Sequence, residues 1–279
     1  MTRAEALRTA AERLAAAGIE DARAEARLLL EATSELSPAA LIAAMADAAP
    51  VSETSRFAAL IERRAAREPL SHILGAVGFW TLELEVTPDV LTPRPDTETV
   101  VEAALDAVKE RTAPLCILDV GTGSGAILLA LLSELPNATG LATDVSPAAL
   151  AVARRNAERN AMSARAAFME TSWADGVDGP FDLVVSNPPY IASTVIETLE
   201  PEVKDHEPRR ALDGGADGLD PYPHLLAEAK RLLKPGGTAV FEIGHDQGEA
   251  AIALARGAGA GAALRQDLAG RDRVVVARW

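Results

Sequence analysis

A single cysteine, Cys116, occurs in the 279 residues of this chain. No intramolecular disulfide can form, which suits a reducing compartment, and a cytoplasmic location is expected. Cys116 lies in the apolar run Leu115-Cys116-Ile117-Leu118 and reads as a small core residue, not a nucleophile. Aromatic residues are scarce at 4%, and none is laced through a basic segment. Basic residues are themselves in deficit, 27 Lys and Arg against 41 Asp and Glu, for a net charge of −14. Most of that excess falls beyond residue 72. Phosphate contacts supply much of the affinity for large nucleic acids, so a nucleic-acid partner is not expected. No apolar run approaches the ~18 residues of a membrane-spanning helix. The opening Met1-Thr2-Arg3-Ala4-Glu5 lacks the basic-then-apolar layout of a signal peptide, so no membrane association is expected. The histidines His72, His206, His224 and His245 show no ligand spacing. They read as surface or structural, and no metal is expected. What is abundant is apolar: 48% hydrophobic against 24% charged residues, enough for a sizeable core.

Residues 1–70 place Leu28, Leu29, Leu30, Leu41, Ile42, Met45, Phe57, Leu60 and Ile61 at helical spacings. Ser37-Pro38 and Ser52-Glu53 have the look of helix starts, and a small helical bundle is expected. Residues 71–90 hold Gly78-Phe79-Trp80 and the alternating Leu82-Glu83-Leu84-Glu85-Val86, the pattern of a half-exposed hairpin connecting two domains. Residues 91–279 open on the proline-stiffened loop Leu91-Thr92-Pro93-Arg94-Pro95-Asp96-Thr97-Glu98, where Asp96 or Thr97 is a plausible helix N-cap. Strands are expected at 115–120, 141–144, 166–169, 181–186 and 238–243, with weaker signals at 266–268 and 273–277. Helices are expected at 125–135 and 147–160, the latter begun by Ser146 as N-cap and Pro147 at the first position. Such alternation predicts an α/β fold: a doubly wound, mostly parallel Rossmann-like sheet of seven strands with helices on both faces.

Three features carry chemistry. Asp119-Val120-Gly121-Thr122-Gly123-Ser124-Gly125 follows the first sheet strand and opens a helix. Glycines there let the backbone approach a ligand, and the helix N-terminus favours a polar group. The spacing is not the G-x-G-x-x-G of a dinucleotide site; the tighter form suits a nucleoside without a pyrophosphate, S-adenosylmethionine. A plain tight turn is the alternative. Asp144 ends the next strand, where a carboxylate can accept from both ribose hydroxyls, or can simply precede a helix start. Asn187-Pro188-Pro189-Tyr190 ends the run Phe181-Asp182-Leu183-Val184-Val185-Ser186. Two prolines fix φ and remove two donors, and Pro188 pushes Asn187 out of the helical region. The stiff corner offers an amide oxygen, carbonyls without competing N–H groups, and a flat ring. That set suits holding a planar –NH2 by its hydrogens while its nitrogen is alkylated, with Tyr190 stacked on the planar group. A rigid turn with a surface tyrosine is the alternative.

The Arg94-Pro95-Asp96-Thr97-Glu98 block resembles a signature of the bacterial protein-glutamine N5-methyltransferases of the PrmC/HemK family, which act on peptide-chain release factors. The same family shows Glu68-Pro69-Leu70, Ile73-Leu74-Gly75, Phe79-Trp80, Ser186-Asn187-Pro188-Pro189-Tyr190-Ile191, Glu207-Pro208-Arg209-Arg210-Ala211-Leu212 with Gly214-Gly215-Ala216-Asp217-Gly218-Leu219, Glu242-Ile243-Gly244 and Asp267-Leu268-Ala269-Gly270-Arg271-Asp272-Arg273. The resemblance is strong over residues 65–279; the helical N-terminal part matches in position and character. It implies methylation by S-adenosylmethionine of the glutamine in the Gly-Gly-Gln loop of class I release factors, by a protein expected to be a monomer. Gly121, Thr122, Gly123, Ser124 and Gly125 would cradle the cofactor's methionine part, Asp144 its ribose, and Trp173 would lie near adenine or simply fill core space. Asn187, Pro188, Pro189 and Tyr190 would hold the glutamine amide, with Asn187 also beside the cofactor. Arg94 would act as a lid over cofactor or peptide, or pair with a local carboxylate and stiffen its loop. The segment 207–219, in which Asp213 and Asp217 accompany Arg209 and Arg210, would be an ordered loop over the cleft, or simply a solvated run of charge. The helical bundle would contact the release factor. His206 and Thr92 depart from the usual Tyr and Ile at their positions, away from the amide-binding corner. Rival readings are a glutamine methyltransferase of a large-subunit ribosomal protein, an adenine-N6 methyltransferase of DNA or RNA, and a non-catalytic module that kept the fold.

Overall fold

The sequence 1–75 contains no β-branched run long enough for a strand core, and its apolar residues recur at helical spacing. In a computed structural model, which describes all 279 residues, this stretch forms α1 (Arg3–Ala16), α2 (Ala22–Thr33), α3 (Pro38–Ala43), α4 (Val51–Ala65) and α5 (Leu70–Leu74). Thr2 and Glu5 make a reciprocal capping box at the start of α1. Ser37 caps α3 by accepting from the Ala40 N–H. At α4 the first residue is Val51, one before the expected Ser52, and the cap position is Pro50 with no side-chain bond. Leu14, Ala26, Leu29, Phe57 and Ile61 form the core of this unit. A buried bidentate pair, Arg3 to Glu53 at 2.7 and 2.9 Å, joins α1 to α4. The same unit includes the later segment Glu200–His206, which carries α9 (Pro201–Lys204). Its Glu202 accepts from Arg64 at 2.8 Å and pairs with Arg67 at 2.6 Å.

The second unit comprises Ala76–Leu199 and Glu207–Trp279. It begins with the antiparallel hairpin β1 (Ala76–Phe79) and β2 (Leu82–Glu85). The loop at 91–97 closes in a 3-10 turn, Pro95–Thr97, and α6 (Glu98–Ala107) follows without any side-chain cap. The expected capping by Asp96 or Thr97 does not occur, because both side chains are engaged elsewhere: Asp96 with Arg273 and Thr97 with Asn187.

The main sheet has seven strands in the order β5-β4-β3-β6-β7-β9-β8. These are β3 (Cys116–Val120), β4 (Thr139–Asp144), β5 (Ala166–Glu170), β6 (Phe181–Ser186), β7 (Leu233–Glu242), β8 (Gly261–Gln266) and β9 (Asp272–Arg278). β3 to β7 run parallel to one another; β9 runs antiparallel to both β7 and β8. The flanking helices are α7 (Ala126–Glu134), α8 (Pro147–Arg159), α10 (Pro221–Leu232) and α11 (Gly248–Gly257). Strand alternation divides the core between two faces. Ile117, Leu183 and Val185 join α6 and α7 on one side, while Leu118, Val120 and Val184 join α10 and α11 on the other. Cys116 is half-buried against the second of these clusters.

One strand expectation fails. The strand expected at 266–268 ends at Gln266, and Leu268 is fully exposed. Asp267 Oδ1 accepts from the Ala269 and Arg271 N–H groups, so its side chain builds the turn between β8 and β9. Local side-chain bonding overrides the apolar signal of Leu268. No helix is long and apolar enough to cross a membrane.

Candidate active site

The strand order reverses between β3 and β6, neighbours in register at Asp119 and Val185. In open α/β sheets, ligands bind outside the carboxyl ends of the strands at such a switch point. The glycine loop leaves β3 there and Asn187 leaves β6. Ser186 Oγ donates to the Val120 carbonyl at 2.6 Å and ties the two strand ends together. Asp144 ends β4, on the other side of β3. A cavity of about 590 Å³ opens at this edge, within the range of nucleoside-sized sites. Gly121, Thr122, Gly123, Ser124, Asp144, Trp173, Asn187, Pro188 and Pro189 all line it.

The glycine loop needs its glycines for different reasons. Gly121, Gly123 and Gly125 all have positive φ, which L-residues rarely adopt. A Cβ on Gly125 would press on Ala153 and Leu129, whereas at Gly121 and Gly123 it would meet nothing. The open side of the loop therefore faces free space, as a cradle requires. Backbone bonds from the Gly121 and Thr122 N–H groups to the Thr143 carbonyl fix its start.

Asp144 is held by the backbone: Oδ2 accepts from Gly123 N–H at 3.0 Å and Oδ1 from Ser146 N–H at 2.9 Å. Each carboxylate oxygen keeps a further lone pair. The side chain is thus pre-oriented toward the cavity and retains capacity for a diol. Asp119, beneath the loop, is fully buried; Oδ2 accepts from Thr122 at 2.6 Å and Oδ1 has no partner. Burial pushes its carboxyl up to about 7.

This has a measurable consequence. The native pKa lies above the unfolded one, so the group's stabilising contribution is complete below about pH 4 and lost as pH rises through 7. Asparagine does not titrate. The stability of Asp119→Asn relative to wild type therefore rises by about 2–3 kcal/mol between pH 5 and pH 8, as read by urea unfolding at each pH. A flat difference across that range means that the buried carboxyl does not titrate near 7.

The cavity lining is acidic, with Asp89, Asp144, Asp213 and Asp220 against Arg210. Such a lining disfavours a polyphosphate and suits a cationic nucleoside. The acidic lining, the open glycine cradle and the pre-oriented Asp144 all fit a ligand that combines an ammonium, a sulfonium and a ribose.

The Asn187 corner is held from below. Asn187 Nδ2 donates to Thr97 Oγ1 at 3.1 Å, which directs Oδ1 away from Thr97. Tyr190 donates its hydroxyl to Glu242 Oε1 at 3.0 Å and packs against the sheet core. The tyrosine is not part of the cavity wall, although stacking on a planar ligand group was expected of it. Glu242 is 1% exposed, and burial raises its carboxyl to about 7. Gln247 Nε2 donates to the carbonyls of Tyr190 and Gly218 at 3.0 and 3.2 Å. Segment 207–219 closes over the corner: Gly214 N–H donates to Ile191 and Ile191 N–H to Leu212. Pro208, Arg210, Ala211, Asp213, Gly214 and Gly215 reach the cavity. Side chains at Gly214 or Gly218 would collide with the Pro189 and Tyr190 carbonyls, at 2.7 and 2.2 Å.

Arg94 is not in the wall. Its Nη2 pairs with the buried Glu207 at 2.7 Å, and Glu207 also accepts from the Thr92 N–H at 3.2 Å. Of the two readings open for Arg94, the pairing one describes its contacts. Trp173 has φ +53, a strained value for a tryptophan. Thr143 Oγ1 holds its carbonyl at 2.7 Å. His224 stacks on the Trp173 ring, with centroids 5.9 Å apart and planes 10° from parallel. Nothing in the sequence marks His224 as a cavity residue, because its helical neighbours Tyr222 and Leu225 mark only a core face. Glu242 and Asp119 were equally concealed inside apolar strands, although a carboxylate in such a run is itself an anomaly.

A Rossmann-like sheet with a glycine loop, a strand-end aspartate and Asn-Pro-Pro-Tyr at its switch point defines a methyltransferase. A fold of this kind is shared with a methyltransferase from Pyrococcus furiosus, at a TM-score of 0.53 and 19% identity over 80% of this chain and 98% of that one. The family model described as methyltransferase small domain matches residues 101–200, and the PrmC N-terminal domain matches residues 5–75. The chain is 47% identical to the release factor glutamine methyltransferase of Caulobacter vibrioides over 278 residues, covering 99% of this chain and 96% of that protein. With its namesake from Rhodospirillum rubrum the identity is 48%, covering 95% and 82%. The chain belongs to the release factor glutamine methyltransferase family.

Proposed function

We propose that this protein transfers a methyl group from S-adenosylmethionine to the side-chain amide nitrogen of the Gly-Gly-Gln glutamine in class I release factors. The observation that carries this reading is the Asn187 carboxamide, pinned through Nδ2 with Oδ1 left for the cavity, across from an open glycine cradle. Names of close relatives point the same way. Bound S-adenosylmethionine supplies an electrophilic methyl group. Gly121 to Gly125 would hold its methionine part, and Asp144 its ribose.

The residues of the corner supply orientation. An amide nitrogen is a poor nucleophile because its lone pair is delocalised into its carbonyl. Asn187 Oδ1 and the Pro188 carbonyl each accept one N–H of the glutamine amide. That places the nitrogen in line for attack and stabilises the positive charge that develops on it. No backbone hydrogen bond uses the Pro188 carbonyl, and the Pro189 ring has no N–H to compete for it. The product sheds its proton to solvent afterwards, so no strong general base is needed. Segment 207–219 forms the wall along which the Gly-Gly-Gln strand would lie, and the helical unit would meet the body of the release factor.

The test is transfer of labelled methyl to purified release factor, with the modified residue located by mass spectrometry. Label on the Gly-Gly-Gln glutamine is expected. Equal labelling of a release factor with that glutamine changed to alanine refutes the assignment.

A further inference from the structure

The Glu242-Ile243-Gly244 block ends β7, and the Asn187 corner accounts only for its glutamate. Its glycine has another partner: Gly244 N–H donates to Gln247 Oε1 at 2.8 Å. A Cβ on Gly244 would press on that carboxamide at 3.0 Å, so the glycine lets it in. From the other end of the carboxamide, Nε2 donates to the Tyr190 carbonyl at 3.0 Å and to the Gly218 carbonyl at 3.2 Å. A backbone N–H only donates and a carbonyl only accepts, so the orientation of this carboxamide is fixed. Its two hydrogens meet two carbonyls. Gln247 is 9% exposed and stands at the start of α11, yet its side chain makes no capping bond there. Its polar atoms hold two other segments instead.

Those segments are the Asn187–Tyr190 corner and the loop 214–220. Asp220 N–H donates to the Gly214 carbonyl at 3.1 Å and closes the loop on itself. The base of the loop carries Gly214, Gly215 and Asp220 into the cavity wall. It is tied down by Gly214 N–H to the Ile191 carbonyl and by Ser193 N–H to the Gly215 carbonyl. The apex, residues 216–218, has no such ties. Every hydrogen bond that reaches it from outside the loop comes from Gln247. Gly218, at φ +78, approaches so closely that a Cβ there would collide with both the Tyr190 carbonyl and Gln247 Nε2. The corner, the loop apex and the turn after β7 thus meet at one carboxamide.

We propose that Gln247 is a positioning residue for the accepting substrate: it latches the apex of the 214–220 loop to the Asn187–Tyr190 corner, so that this wall is in place before the release factor binds. The proposal rests on the reading that segment 207–219 forms the wall for the Gly-Gly-Gln strand. A wall that is in place only a tenth of the time weakens apparent binding about tenfold, because binding must first order it. The corner itself is stiffened by its own prolines and does not need the latch for its shape.

The experiment uses Gln247→Met, which keeps length and removes every bond, and Gly218→Ala, which pushes the apex away from the other side. Each is expected to raise KM for the release factor about tenfold, with kcat and the Kd of S-adenosylmethionine within about threefold of wild type. A latch opens only once, so the double variant should lie within about threefold of the more affected single variant. In free Gln247→Met, the amides of Gly214 and Asp220 should exchange with solvent about tenfold faster than in wild type, while those of β6 and β7 keep their rates. Unchanged KM overturns the proposal, and so does a double variant whose KM rises about 100-fold, since the two residues then act separately. A lower Tm with unchanged exchange at 214–220 makes Gln247 purely structural and overturns it too. Absence of methyl transfer by the wild type to any release factor removes the proposed function instead, and the exchange rates still decide whether the latch exists.

Discussion

Asn187→Ala will lower methyl transfer by about 10²- to 10³-fold, the size of effect seen when one preorganised polar partner of a transition state is removed. The Kd of S-adenosylmethionine will stay within about threefold, since a lost contact worth less than ~0.7 kcal/mol gives no more than that. The reasoning is geometric. Oδ1 has no structural duty inside the protein: the fold is served by Nδ2, which bonds Thr97. Alanine thus removes an acceptor aimed at the cavity, together with the donor to Thr97. Pro188 and Pro189 keep the backbone corner rigid in the variant, so the substrate amide loses one of its two acceptors and its alignment, not its site. Single-turnover transfer and calorimetric titration with S-adenosylmethionine separate the two quantities. Should cofactor affinity collapse as far as the rate does, Asn187 belongs to the cofactor site and the amide clamp is wrong.

Asp144→Ala should show the reverse pattern, with cofactor affinity falling about 100-fold and the rate at saturating cofactor changing far less. Two charge-assisted hydrogen bonds to a diol are worth roughly 1.5–3 kcal/mol each. Partial exposure of the side chain places the expected loss at the low end. The substitution also frees the N–H groups of Gly123 and Ser146, which the carboxylate holds at 3.0 and 2.9 Å. Asparagine is no milder. Its –NH2 would have to face one of those two donors, so Asp144→Asn should bind the cofactor about as weakly as the alanine variant. A Kd within about threefold of wild type in both would exclude Asp144 from the cofactor site.

The two variants divide the site along its structure. Asp144 and the glycine loop belong to β4 and β3, whereas the Asn187 corner belongs to β6 and is braced by β7 through Glu242. A single sheet edge thus carries a donor half and an acceptor half on neighbouring strands. Segment 207–219 covers the acceptor half through backbone bonds of Ile191, Leu212 and Gly214, joined by side-chain bonds from Ser193 and Gln247. Its glycines at 214 and 218 are close-approach positions, where any Cβ would drive the Pro189 and Tyr190 carbonyls from their places.

Much of this was legible in the chain itself. Apolar runs of strand length separated by helical spacings specify the parallel sheet, because burial on both faces leaves no polar alternation. Glycine spacing, an acid at a strand end and two consecutive prolines after an asparagine are local signals, since each acts through the conformation of its own backbone. The helical bundle was legible for the same reason, from spacing alone. Leu268 misled because apolar character says nothing of a side-chain turn built by the preceding residue, Asp267.

What only the tertiary structure decided is the set of partners. Thr97 looked like a helix cap and is a hydrogen-bond acceptor for a residue ninety positions away. Tyr190 looked like a stacking platform and is anchored by its hydroxyl to a buried glutamate. Arg94 pairs with Glu207, and His224 lies on Trp173 at the cavity wall. The physical reason is common to all four. A backbone motif fixes where a side chain begins, but the direction of its polar end is chosen by whichever buried donor or acceptor would otherwise go unsatisfied, and that neighbour is supplied by folding.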